Sequence, residues 1–199
     1  KQLEPYSQSR IGLFWNISTG LLFFTKDGKA LTKYACKLTF DAGLIPTVSI
    51  ASRKPIQIQM EIIYKDKDIQ YDPTSFQASK EFIEMEVKSD DKFTWNTKAM
   101  VDYLHLNTDG VTVANVHSKS KALTVYGSKL FKKGYHYWEI TLLGSGYPSN
   151  IMIGVSASHP DKFAFLDKHP AGWGYYGYYG EKYHNGRSQD YGPTLRNGD

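Results

Sequence analysis

The residues best suited to molecular recognition lie in one glycine-spaced aromatic stretch, residues 172–186, which reads GWGYYGYYGEKYHNG. Its aromatic members are Trp173, Tyr175, Tyr176, Tyr178, Tyr179 and Tyr183. Tyrosine offers a large contact area at low conformational cost and keeps a hydroxyl for hydrogen bonding. Aromatic residues alternating with glycine also suit a tightly turned sheet, in which the rings cover bare glycine backbone. The stretch therefore predicts either a sheet core with its rim or a recognition surface.

Residue types that perform catalysis are present, but their spacing does not assemble a recognisable site. The six histidines show no HxH or HxxxH spacing and have no cysteine partners, so the pattern predicts no metal centre. We find no GxSxG, P-loop or dinucleotide-binding motif, and Glu139 and Asp190 are carboxylates without an identifiable catalytic partner. The single cysteine, Cys36, is expected to be a buried structural thiol. The sequence therefore predicts a protein that is not an enzyme and needs no cofactor.

The composition narrows the classes of partner. The net charge of +4 is mildly basic, and the lysines are spread along the chain, which argues against nucleic-acid binding. No run of 18 apolar residues, signal peptide or lipidation motif is visible, so we expect no membrane association and a cytoplasmic (intracellular) location. Aromatic residues make up 15% of the 199 residues, and with 17 glycines they favour β structure over helix bundles.

The elements that would position the aromatic stretch are short strands separated by turn signals. Strands are predicted at 10–16, 21–26, 44–50, 56–64, 111–113, 123–126, 134–142 and 151–156. The turns between them carry glycine, as at 17–20 and 27–28. Helix is nearly absent apart from a weak patch at 79–87. This pattern is typical of an antiparallel sandwich.

Several motifs, taken in order, resemble the first part of a SPRY domain. They are GYHYWEI at 134–140, IGVS at 153–156, GWGY at 172–175, YGP at 191–193 and NGD at 197–199. The closing part of the family pattern is also present, but near the start of the chain, as RIGLFWN at 10–16, LFFTKDG at 22–28 and IPTVSI at 45–50. The resemblance implies an all-β, bent antiparallel β-sandwich of jelly-roll-like form.

The order of the two parts is permuted relative to the family. The resemblance divides the chain into a C-terminal half at 1–64, a charge-rich linker at 65–92 and an N-terminal half at 93–199. A circular permutation would give a monomer, and the exchange of strands between chains would give a dimer. A third explanation is that pieces of a longer chain are numbered in an unusual way. Permutation and exchange both require Asp199 and Arg10 to lie close together.

The resemblance also implies a function. SPRY-like domains are non-catalytic binding modules, often attached to ubiquitin-ligase or scaffold proteins, which hold a protein or short peptide by loops at one end of the sandwich. The residues predicted to bind the partner are Tyr126, Trp173, Tyr175, Tyr176, Tyr178, Tyr179 and Arg187. Loop 157–171, with Phe163 and Phe165, is a second candidate wall of the site. Trp15, Trp138 and Phe24 are assigned to the core.

A second hypothesis uses the same aromatic rings. Exposed tyrosine and tryptophan faces also stack on sugar rings, so a carbohydrate-binding, lectin-like sandwich remains the alternative function. The two hypotheses differ in the ligand that the aromatic stretch would bind, which is a peptide or protein in the first and a sugar in the second.

Overall fold

The structure is a computed structural model, and the chain is described at 10–17, 19–27, 29–31, 36–38, 43–51, 56–65, 94–115, 122–132, 134–143, 150–158 and 161–195. The predicted linker beyond Lys65, the helical patch at 79–87 and Asp199 lie outside these residues. The expected proximity of Asp199 and Arg10 therefore stays a prediction.

Regular structure in these ranges is almost entirely extended. The strands are β1 (Arg10–Asn16), β2 (Leu21–Lys26), β3 (Lys29–Ala30), β4 (Cys36–Lys37), β5 (Ile45–Ile50), β6 (Ile56–Lys65), β7 (Leu104–Leu106), β8 (Thr112–Asn115), β9 (Leu123–Tyr126), β10 (Tyr135–Leu143), β11 (Ile151–Ser156), β12 (Gly172–Tyr176), β13 (Glu181–His184) and β14 (Arg187–Asp190). Short 3₁₀ turns occur at Thr97–Ala99 and Leu166–Lys168. Within the described ranges, no helix has the length and apolar character needed to cross a membrane.

The strands form two antiparallel sheets. One sheet has the order β3-β2-β1-β10-β6-β8-β7, with β4 paired to β2, and the other has the order β14-β13-β12-β11-β5-β9. Side chains from both sheets contribute to one hydrophobic cluster between them, as in a sandwich. The predicted all-β antiparallel sandwich is therefore confirmed.

Each sheet contains strands from the beginning of the chain and strands from its end. β1 pairs with β10 over seven residues, from Arg10 opposite Thr141 to Asn16 opposite Tyr135. In the second sheet β5 lies between β11 and β9 and pairs with both. Neither part of the chain therefore has a separate core, because each sheet needs strands from both parts.

The predicted core tryptophans and phenylalanine are confirmed. Trp15, Trp138 and Phe24 are each at most 1% exposed and belong to the same cluster. β1 is buried on both faces, since Trp15 enters the core while Phe14 on the other face stacks on Phe23 at 4.9 Å. A short strand with this much buried surface on both sides contributes strongly to stability.

A buried polar network connects β1, β2 and β10. The Tyr137 hydroxyl donates a 2.9 Å hydrogen bond to Glu139 Oε1 and lies 3.0 Å from Thr25 Oγ1. The Arg10 guanidinium donates to Glu139 Oε2 at 3.1 Å. Glu139 is thus a hydrogen-bonded sheet residue that joins the two parts of the chain.

Candidate functional site

Five aromatic side chains form one cluster on the outer face of the six-stranded sheet, which we call the tyrosine patch: Phe165, Tyr176, Tyr178, Tyr179 and Tyr183. Tyr176 is its centre, with ring centroids 5.8 Å from Phe165, 5.8 Å from Tyr179 and 5.9 Å from Tyr183. Tyr178 and Tyr179 contact each other at 4.5 Å and are 49% and 59% exposed. The patch is therefore a contiguous aromatic surface with two prominent rings.

The two exposed tyrosines are carried by a turn that the backbone holds firmly. β12 ends at Tyr176, and Gly180 closes the turn by donating its N–H to the Tyr176 carbonyl at 3.1 Å. The Gly180 carbonyl then accepts from Tyr191 N–H at 3.1 Å and from Gly192 N–H at 2.8 Å. Gly180 has φ of +72°, which a glycine adopts without steric cost. Tyr178 and Tyr179 therefore stand on a preorganised support.

A neighbouring segment, residues 161–168, lies over the same face and supplies Phe165. Thr124 Oγ1 donates to the Ala164 carbonyl at 2.6 Å, and Leu166 N–H donates to Ser49 Oγ at 3.0 Å. Gly172 permits this approach because a Cβ there would overlap the Leu166 backbone and side chain. The predicted second wall of the site is thus in contact with the patch through Phe165.

Two carboxylates stand on the same face as the patch. Tyr176 of β12 pairs with Glu181 of β13, and Glu181 pairs with Asp190 of β14, so the three residues form one row. Tyr183 lies two residues along β13 from Glu181 and shares its face. The Tyr183 hydroxyl donates a 2.6 Å hydrogen bond to Glu181 Oε2. Acidic groups therefore border the aromatic surface.

A third carboxylate, that of Asp167, is buried beside the patch. Its side chain is 9% exposed, with Oδ2 3.2 Å from Lys168 Nζ and Oδ1 without a hydrogen-bond partner among the described residues. Burial, then the hydrogen bond to Glu181, raises the pKa of Tyr183 to about 12, and the charge of Asp167 adds to the shift. Burial also raises the pKa of Tyr176. Both phenols consequently remain neutral donors at neutral pH.

The positive groups of the same hairpin lie on the opposite face. His184 stacks on Trp173 with ring centroids 4.6 Å apart and pairs with Arg187 of β14. Lys182 Nζ lies 5.8 Å from the centre of the Tyr191 ring. Because alternate residues of a strand point to opposite faces, Arg187 and Lys182 are directed away from the tyrosine patch. The structure therefore places the predicted binding residue Arg187 on the face of Trp173 and away from Tyr176, Tyr178 and Tyr179.

Three further residues predicted to bind the partner are buried. Tyr126, Trp173 and Tyr175 are 1%, 6% and 0% exposed. Tyr126 shares a face of β9 with Thr124, whose hydroxyl donates to the Ala164 carbonyl, and Tyr175 donates its hydroxyl proton to the Pro193 carbonyl inside the fold. Trp173 and Tyr175 belong to the hydrophobic cluster between the sheets, and Tyr126 is buried outside that cluster, so a partner has no access to these three rings. Of the predicted residues, Tyr176, Tyr178 and Tyr179 remain at the surface.

Two residues that were not among the predicted binding residues complete the patch: Tyr183, and Phe165 of the predicted second wall. Tyr183 was part of the aromatic stretch, and its alternation with Glu181 along one strand was the available signal. Asp167 was not predicted, because it reaches the patch only where residues 161–168 fold back over the sheet, which no local pattern indicates. No group of histidine, cysteine or acidic side chains arranged to hold a metal occurs among the residues that the structure describes.

Comparison with known proteins supports part of the resemblance. Residues 135–199, about one third of the chain, match the family model described as SPRY domain. The match begins at β10 and includes the β11–β14 strands that carry the tyrosine patch. No curated protein matches the chain. SPRY domains are generally protein-interaction modules, which agrees with a non-catalytic binding role. Residues 10–60 lie outside the match, so their assignment to the closing part stays a prediction.

Proposed function

We propose that this protein is a non-catalytic interaction module that binds a peptide or protein surface through the tyrosine patch. The observation that carries the proposal is the pair Tyr178 and Tyr179, which are half exposed on a turn held by backbone hydrogen bonds. Contiguous exposed apolar patches often mark interaction sites, and tyrosine is enriched among the residues that dominate binding energy.

The support beneath the two rings favours this function further. A binding residue that is already held in place loses little conformational entropy when its partner arrives, so more of the contact energy appears as affinity. The Gly177 carbonyl accepts from Leu195 N–H at 2.7 Å, and Gly177 N–H donates to the Ile151 carbonyl at 3.0 Å. The turn is thus fixed from two sides while its two tyrosine rings extend into solvent.

Replacing Tyr178 and Tyr179 together with alanine is expected to abolish peptide binding and to leave folding nearly intact. Peptides would be selected from a random phage-displayed library on the wild-type chain and tested by fluorescence anisotropy. Two exposed tyrosines in an interface contribute about 2 kcal/mol or more each, so affinity should fall by about a thousandfold. The thermal unfolding midpoint should change little because both rings are exposed.

Leu130→Ala is the matched control, since Leu130 is also an exposed large hydrophobic residue, at 40%, and lies outside the patch. Its binding should equal that of the wild type. An equal loss of peptide affinity in the double variant and in Leu130→Ala, or unfolding of the double variant, would contradict the proposal. A glycan array with clear hits and no peptide enrichment would instead support the carbohydrate-binding alternative, which uses the same ring faces.

We also propose that the two parts of the chain complete one sandwich within a single molecule. Intrachain pairing of β1 with β10 and of β5 with β11 supports this assembly. Multi-angle light scattering of the chain should then give the mass of a monomer, 22.6 kDa. A stable dimer at the same concentrations would favour the exchange of strands between chains.

A further inference from the structure

The β13–β14 hairpin separates its charges by face. One face carries Glu181 and Asp190 in the row of Tyr176, and the other carries Lys182 and Arg187. None of the cations in the described part of the chain forms an ion pair with Glu181 or Asp190. The face with the tyrosine patch therefore presents negative charge alone along this hairpin.

Glu181 and Asp190 are directly opposite each other in the register of the hairpin. The Cβ atoms of such a pair are about 4.5–5.5 Å apart, and like charges directly opposite each other are destabilising. Glu181 is partly satisfied by the hydroxyls of Tyr183 at 2.6 Å and Ser188 at 3.4 Å, whereas Asp190 is exposed. A cation placed between the two carboxylates would remove the repulsion and gain attraction from both.

Asp167 gives an independent indication of a missing hydrogen-bond donor beside the patch. Its side chain is about nine-tenths buried, and Lys168 meets only Oδ2, which leaves Oδ1 without a hydrogen bond in the described structure. A buried carboxylate oxygen of this kind is unfavourable unless a donor or a cation compensates it. The charge of Asp167 acts on Tyr176 and Tyr183, so its negative potential extends into the patch.

The aromatic rings select among cations. A guanidinium is planar, stacks on tyrosine faces and can donate to two carboxylates at once, whereas an ammonium is a compact and strongly hydrated point charge. Tyr176 and Tyr183 meet nearly edge to face, with an interplanar angle of 85°, and Glu181 stands beside both. Ring faces and carboxylates thus lie within the reach of one arginine side chain.

We propose that the tyrosine patch, together with Glu181 and Asp190, binds an arginine side chain in a segment of the partner protein. This inference rests on the proposed function, because it names the chemical group that the same surface recognises. Arginine would anchor the segment by stacking on the patch and bridging the two carboxylates, while Tyr178 and Tyr179 contact the residues around it.

The test uses the full chain with ¹³C-labelled tyrosine rings and two probes, N-acetyl-arginine methylamide and its neutral isostere N-acetyl-citrulline methylamide. The arginine probe should shift the Tyr176 and Tyr183 ring resonances in a saturable manner, and the citrulline probe should not. Asp190→Asn should weaken binding of the arginine probe by about tenfold, the value of one charge-assisted hydrogen bond. Asp102→Asn is the control, since it removes an exposed carboxylate elsewhere and should have no effect.

The outcomes separate the inference from the proposed function. Equal shifts with both probes, no shift with either, or equal effects of Asp190→Asn and Asp102→Asn would overturn the assignment of arginine. Library-selected peptides that lose binding with the Tyr178 and Tyr179 double variant but keep it with Asp190→Asn would leave the proposed function standing and overturn the inference alone. Selected peptides that carry arginine and lose binding with both variants would support both.

Discussion

Gly154→Ala is expected to destabilise the protein by about 3 kcal/mol or more, or to prevent folding. Gly154 lies opposite Gly174 in the pairing of β11 with β12, where the two backbones approach closely. A Cβ at position 154 would overlap the Trp173 carbonyl oxygen and lie 2.8 Å from the Gly174 Cα. These are main-chain atoms of a central strand, so no side-chain rotation can relieve the clash. Urea denaturation followed by tryptophan fluorescence would measure the loss.

Gly186→Ala is the matched control for this substitution. No atom lies within 4 Å of a Cβ built at Gly186, but its φ of +71° is unfavourable for alanine. The free energy of unfolding of the control should therefore fall by only about 1 kcal/mol, the cost of a left-handed backbone conformation for alanine. A loss for Gly154→Ala no larger than that of the control would show that the β11–β12 pairing is looser than described.

Stability is expected to fall steeply above about pH 10, because three buried tyrosines must stay neutral in the native state. Burial raises the pKa of Tyr126, Tyr137 and Tyr175 above the ordinary value of 10.0, and nearby Asp161, Glu139 and Tyr191 respectively add to the shift. At a pH below the pKa of tyrosine in the unfolded chain, these neutral phenols make their full contribution to the free energy of unfolding. As pH rises beyond it, the unfolded chain ionises first. Each tyrosine then lowers the free energy of unfolding by about 1.4 kcal/mol per pH unit, or about 4 kcal/mol for three.

Urea denaturation between about pH 8 and about pH 11 would measure this slope, and tyrosinate absorbance would show whether ionisation accompanies unfolding. Tyr175→Phe is the internal control. It removes one titrating phenol, and it also removes the hydrogen bond to Pro193. Above about pH 10 the fall of the free energy of unfolding with pH should therefore become shallower by about 1.4 kcal/mol per pH unit. A free energy of unfolding that stays constant across this range would contradict the neutral burial of these phenols.

The strands were predictable wherever turn residues and alternation agreed. The bounds of β1 and β2 match the predicted 10–16 and 21–26, because a glycine-containing turn separates two apolar runs. The interleaving of the sheets could not be derived from such local patterns. The pairing of Arg10 with Thr141 depends on contacts between residues far apart in sequence. Only the resemblance of the motifs to a family suggested that both parts of the chain contribute to one sandwich.

The sequence predicted that the candidate site is aromatic, but it did not predict which of the aromatic residues are exposed. Tyr178 and Tyr179 were identified as members of an aromatic run interleaved with glycine, and both are exposed. Tyr126 was placed among the binding residues, yet it is buried because residues 161–168 cover its face of the sheet. Strand periodicity gives the two faces of a strand but does not show which face a distant segment will cover.

The separation of β1 from β10 along the chain has a consequence during synthesis. Ribosomes add about 5–20 residues per second, so the roughly 130 residues between Arg10 and Thr141 require about 7–26 s. During that interval β1 has only β2 beside it, and the β10 strand that pairs with its other edge in the native sheet is missing. Nascent chains should therefore depend on chaperones for several seconds. We expect substitutions that slow the closure of this pairing to reduce yield in cells more than they reduce equilibrium stability.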